Sequence, residues 1–98
     1  MEKEEFMLKV LEIFRTVAQK EGAKVVMKKK DNIFGIRVKN GAKEVSLNAI
    51  FSNLNIIHMC GAPCSTEEYF KEADNLAGEI PKIEDFLKKI FSPKAVRR

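Results

Sequence analysis

Between Glu5 and Glu21 the apolar positions recur with a helical period. Phe6, Met7, Val10, Leu11, Ile13, Phe14, Val17 and Ala18 fall on one broad stripe, which predicts an amphipathic helix with a wide buried face. Leu8 lies off that stripe, and Gly22 stands where a C-terminal cap belongs. A period of two then takes over. Ala23 to Lys30 alternates imperfectly, Asp31-Asn32 breaks the pattern, Ile33 to Lys39 alternates, and Asn40-Gly41 breaks it again. Lys43 to Phe51 alternates in turn, Ser52-Asn53 interrupts, and Leu54 to Cys60 is mostly apolar. Asn-Gly between alternating runs is a strong hairpin signal, because both central residues of a type I′ turn need positive φ. The pattern predicts four antiparallel strands joined as a meander.

The turns decide which residues share a face. A two-residue loop at Asp31-Asn32 sets Met27 opposite Ile36 and Val25 opposite Val38. A two-residue loop at Asn40-Gly41 sets Ile36 opposite Val45 and Phe34 opposite Leu47, and pairs Arg37 with Glu44. Both hairpins then put Val25, Met27, Phe34, Ile36, Val38, Val45, Leu47, Ala49 and Phe51 on one face. A one-residue slip would flip a strand, so this agreement supports the meander. The fourth strand stays open. A two-residue turn at Ser52-Asn53 points Leu54, Ile56, His58 and Cys60 to the core, whereas one more loop residue sends Ile57 and Met59 inward.

Gly61-Ala62-Pro63 is expected to end the sheet. Ser65-Thr66-Glu67-Glu68 reads as a capping box opening a second helix, with Tyr69, Phe70, Ala73, Leu76 and Ala77 on its apolar side and Gly78 as its stop. Pro81 suits the first turn of a third helix, whose stripe is Ile83, Phe86, Leu87, Ile90 and Phe91. Pro93 ends it and leaves residues 93–98 as a flexible basic tail. The expected fold is α+β over a single domain, residues 1–98: an N-terminal helix, a four-stranded antiparallel meander, and two C-terminal helices packed mainly on one sheet face.

Composition narrows the function classes. Ninety-eight residues, 45% hydrophobic and 33% charged, describe a globular chain that folds without staples. No stretch approaches the roughly 18 apolar residues of a membrane span. Met1-Glu2-Lys3-Glu4-Glu5 is the wrong start for a secretory or transit peptide, so the cytoplasm is the expected compartment and no membrane is expected as a partner. A formal charge of +4 favours an anionic partner weakly.

The chain holds one His, one Tyr, two Cys and no Trp, which leaves little for acid–base chemistry or base stacking. No nucleophile–base–acid set and no glycine-rich phosphate loop is visible, and the reading leans away from an enzyme. No cofactor is expected. Cys60-Gly61-Ala62-Pro63-Cys64, at an expected strand-to-helix junction, places Cys64 near a helix N-terminus that would stabilise a thiolate. Thioredoxin-type enzymes use two intervening residues, not three, and buried free cysteines are common. His58, Cys60 and Cys64 make three soft metal ligands, one short of a structural zinc.

The outer sheet face is the stronger candidate. The register argument sets Lys24, Lys28, Lys30, Arg37 and Lys39 on its first two strands, with Lys24 opposite Lys39. Such a face takes phosphates, or guards a strand edge against association. Ile33, Ile50, Ile57 and Met59 are expected on the other half, an apolar patch of the kind that marks an interface unless a helix covers it. The leading expectation is a small non-catalytic binding or protein-interaction module, a homodimer through the outer face. The alternatives are nucleic-acid or polyanion binding through Lys24, Lys28, Arg37 and Lys39, and a thiol redox or metal role for Cys60 and Cys64 with His58.

Overall fold

A computed structural model describes residues 2–52, 55–62, 68–73 and 75–91. The elements run α1 (Lys3–Glu21), β1 (Lys24–Lys30), β2 (Ile33–Asn40), β3 (Lys43–Phe51), β4 (Asn55–Ala62), β5 (Glu68–Ala73) and α2 (Leu76–Phe91). The fold is α+β. The strands form one antiparallel sheet in chain order, β1-β2-β3-β4-β5, a meander with every strand beside its sequence neighbour.

The helical stripe of α1 does what its spacing predicts. Phe6, Met7, Val10, Phe14 and Ala18 are buried, while Leu11, Ile13 and Val17 pack at the margin. Gly22 closes the helix in the left-handed region at φ 66°, where a side chain would be strained, and its N–H donates to the Ala18 carbonyl. The β1–β2 register is also as expected: Val25 faces Val38 and Met27 faces Ile36, around a turn in which Asp31 takes φ 55°.

Four expectations change. The β2–β3 hairpin is shifted by two residues, so Ile36 lies opposite Leu47, Phe34 opposite Ala49 and Val38 opposite Val45. Its loop is Gly41-Ala42, with Gly41 at φ 64°. Asn40 stays in the strand opposite Lys43, and its side-chain amide donates to the Glu21 carbonyl at 2.7 Å, satisfying the end of α1. An even shift preserves the faces, so the inner set survives.

The β3–β4 connection is one residue longer than a two-residue turn, since Phe51 pairs with Asn55. Ile57 and Met59 are therefore fully buried beside Ala49 and Leu47, and the expectation that they belong to an outer apolar patch is overturned. Asn32 braces this end of the sheet: its side chain donates to the Phe51 carbonyl at 2.6 Å and its own carbonyl accepts from the Phe51 N–H at 2.9 Å.

Glu68–Ala73, read as part of a second helix behind a capping box, is a fifth strand pairing with β4 from Asn55–Ala73 to Cys60–Glu68. Without it, β4 would present an unpaired ladder of N–H and C=O groups, and that tertiary demand outweighs a local helix-start signal. The β4 strand also runs through Gly61 to Ala62 rather than ending before them.

Two C-terminal helices are one. Gly78 does not stop a helix but sits in the first turn of α2, its N–H 3.1 Å from the Asn75 carbonyl, where few ladder bonds depend on it. Pro81 lies inside α2 and removes the N–H that would bond the Ala77 carbonyl, on a side of the helix where both residues are exposed and the carbonyl need not be buried unpaired. Ile83, Phe86, Leu87, Ile90 and Phe91 are buried as the stripe predicts.

Both helices lie on the inner face, α1 against β1 and β2, α2 against β3, and they also contact each other. The core is the inner sheet residues Phe34, Ile36, Val38, Val45, Leu47, Ala49, Phe51, Ile57 and Met59 with the two helical stripes. Phe6 meets Phe51 edge to face, ring centres 6.1 Å apart, fixing the start of α1 over the end of β3. Among the described residues no helix is long and apolar enough to cross a membrane.

Candidate functional site

The outer face can be laid out from the registers as rows that cross the strands. The first row is Lys24, Lys39, Glu44 and Ala62; the second is Val26, Arg37, Ser46 and Cys60. The third is Lys28, Gly35, Asn48 and His58; the fourth is Lys30, Ile33, Ile50 and Ile56. Antiparallel alternation puts all of them opposite the helices.

The β1–β2 half is basic. Lys24, Lys28, Lys30, Arg37 and Lys39 are exposed there, and Lys24 lies directly opposite Lys39. Arg37 is tied to Glu44, Nε to Oε2 at 3.6 Å, across a diagonal of the ladder and not the direct pairing expected from the sequence. Both groups are solvated, so this contact is worth at most about 1 kcal/mol and leaves the half-face positive.

The middle of the face is polar and low. Gly35 has no side chain, and a β-carbon there would stand 3.1 Å from Asn48 Oδ1. The amide of Asn48 thus lies close over the β2 backbone, in a shallow depression of about 530 Å³ whose rim includes Lys28, Lys30, Ile33 and Arg37. Ser46 Oγ and Cys60 Sγ are 3.3 Å apart, a hydrogen bond between a hydroxyl and a thiol.

The apolar part is one row. Ile33 is 50% exposed and Ile50 39%, side by side, with half-buried Ile56 next to them. Ile56 takes the place expected for Ile57 and Met59. The signal for it lay in Ile57-His58-Met59-Cys60: the more polar member of each pair alternates, and His58 is easier to leave half-solvated than to bury. Val26, 45% exposed, adds an apolar side chain within the basic half.

Of the redox and metal candidates His58, Cys60 and Cys64, the first two fall within the described residues. His58 and Cys60 are half-buried two residues apart on the outward side of β4, and Cys60 is a free thiol. Cys64 and Ser65 lie outside the described residues, as does the expected basic tail. The segment Glu68–Ala73, expected to belong to the helix behind Cys64, is strand, and α2 begins at Leu76. Among the described residues no cluster of three His, Cys, Asp or Glu side chains is placed to hold a metal ion.

Comparison of the chain with protein-family models, with curated proteins and with solved structures finds no match.

Proposed function

We propose that this chain is a small non-catalytic binding module that self-associates through the outer face of its sheet. The observation that carries the reading is the row Ile33–Ile50–Ile56, with two of its three side chains substantially exposed on a face that α1 and α2 leave uncovered. Removing such groups from water supplies a non-directional drive for association.

The dimensions set how the copies meet. Strands about 4.8 Å apart, with about 3.3 Å per residue, give this sheet a face of roughly 500 Å². A stable dimer buries about 800 Å² of accessible surface on each partner, more than the flat outline of the face, so the isoleucine row alone is too small and the full face must engage together with side chains at its margins. A two-fold axis parallel to the strands, through the face centre, lays the β1–β2 half of one copy over the β4–β5 half of the other. The lysines of the two copies then do not oppose one another, and their alkyl stems cover apolar surface.

A second reading is polyanion binding by the basic half. It is favoured by the direct opposition of Lys24 and Lys39, which repel each other unless an anion lies between them. No aromatic side chain stands among the outer-face residues of β1 to β4, so contact would be to phosphates and not to bases.

Sedimentation equilibrium, paired with a mobility shift on a nucleic-acid duplex, separates the two. Ile50→Lys should convert the assembly to monomer and leave polyanion binding intact. Lys24→Glu with Lys39→Glu should abolish polyanion binding and leave the assembly unchanged. A native chain that stays monomeric at every concentration overturns self-association.

A further inference from the structure

A different surface carries its own argument: the free edge of β1 and the groove between that strand and α1. The β1 strand ends the sheet, so the N–H and C=O groups on its outer side have no ladder partner within the sheet. Its flanks are apolar on both faces. Val26 on the outer side is 45% exposed, and Met27 on the helix side is 46% exposed, beside half-buried Val25 and exposed Lys29 on that same side. Beside it, α1 leaves a groove of about 830 Å³ whose lining includes Leu8, Leu11, Ala18, Ala23 and Val25. Leu8 is 68% exposed, a leucine off the core stripe of its own helix.

An extended strand suits all three features at once. Laid about 4.8 Å from β1, it completes the hydrogen bonds of the edge. Its alternate side chains then cover Met27 and reach the leucines of α1 on one face, and cover Val26 on the other.

Charge selects which strand. Four of the seven residues of β1 are lysines, at positions 24, 28, 29 and 30. A second copy of β1 is a poor occupant: two-fold antiparallel pairing about Met27 sets Lys24 against Lys30 of the other copy at both ends, and like charges directly opposite are destabilising. An acidic strand has the opposite sign along the same length.

We propose that β1 is a docking edge for an extended acidic peptide segment, which adds as a sixth strand with its apolar side chains over the α1–β1 groove. The site is separate from the outer isoleucine row, and its occupant is a protein segment and not a nucleic acid.

The test uses the whole chain, isotopically labelled, and a short capped peptide alternating glutamate and valine. Three controls accompany it: the same peptide with alternate backbone nitrogens methylated, the lysine–valine counterpart, and a single-stranded oligothymidine. The alternating acidic peptide should bind and slow hydrogen exchange at every second amide of β1. Methylation on the pairing edge, or exchange of glutamate for lysine, should abolish binding.

Leu8→Ser and Lys29→Glu change exposed side chains away from the outer face, so the fold and the assembly state should persist. Together they should weaken the peptide by about tenfold, the effect of one lost surface contact and one reversed charge. Overturning results are binding that survives backbone methylation, shifts confined to lysine side chains, or oligothymidine competing equally with the peptide. No binding of the acidic peptide at millimolar concentration also overturns the proposal and leaves the lysines as guards of the edge.

Discussion

The Cδ1 of Ile90 lies 2.9 Å, and its Cγ1 3.0 Å, from where a β-carbon on Gly61 would sit, so the missing side chain in β4 is the seat of the last turn of α2. The Glu44 carbonyl closes the same space from β3 at 3.3 Å. Gly61 therefore serves the contact between layers and not a turn.

Gly61→Ala should destabilise the chain by about 1–3 kcal/mol, because Ile90 is buried and has no solvent to move into. Denaturant unfolding measures it. Shortening the neighbour should relieve the clash: Ile90→Val in the Gly61→Ala background should cost less than the sum of the two single changes. Strict additivity would mean that the two residues do not press on each other.

The parity of β4 can be read from two neighbouring isoleucines. Ile57→Ala should cost about 2–5 kcal/mol through lost burial and a cavity, as should Leu47→Ala and, for its larger ring, Phe34→Ala. Ile56→Ala should cost less than about 1 kcal/mol in the monomer, since that side chain is already half in water. Reversed costs would place β4 in the other register.

Asn40 predicts a coupling between a hairpin and a helix end. Asn40→Ala removes the donor to the Glu21 carbonyl and should cost about 0.5–1.5 kcal/mol, with faster amide exchange in the last turn of α1. Asn40→Asp should be no better, because a carboxylate has no N–H to donate. An unchanged exchange rate at the end of α1 would show that the bond does not hold it.

For the polyanion reading, salt is the discriminating variable. Each cation of the set Lys24, Lys28, Arg37 and Lys39 that contacts phosphate should contribute about one unit to the slope of log affinity against log salt, and its removal should lower the slope by that amount. Arg37→Ala should lower it least, since Glu44 already offsets that charge. A slope unmoved by any of the four variants would exclude this half-face.

Much of this architecture was legible where side-chain period and chain connectivity agree. The stripe of α1, the Gly22 cap and the β1–β2 register follow from spacing alone. The β2–β3 register did not, because Asn40-Gly41 satisfies the turn rule on its own, and only the distant Glu21 carbonyl explains why Asn40 is held in the strand. Glu68–Ala73 carried a sound local helix signal, and its strand state depends on the ladder of β4, which no local window contains. The candidate surface was legible in its basic half, where two alternating strands fixed the faces. It failed at Ile57 and Met59, where consecutive apolar residues carry no parity until the loop length is known.

The order of the strands in the sheet is their order in the chain, and this has a kinetic meaning. Each hairpin can close over a short stretch of backbone, so the mean sequence distance between touching residues is low for a protein dominated by strands, and loop-closure entropy slows sheet assembly little. The long-range event is the meeting of α1 with α2, which joins elements from the two ends of the described chain. Until α2 has emerged from a ribosome and docked, the side of the sheet around Val45 and Leu47 lacks its cover, and a nascent chain in that interval is where this protein would be most prone to aggregate.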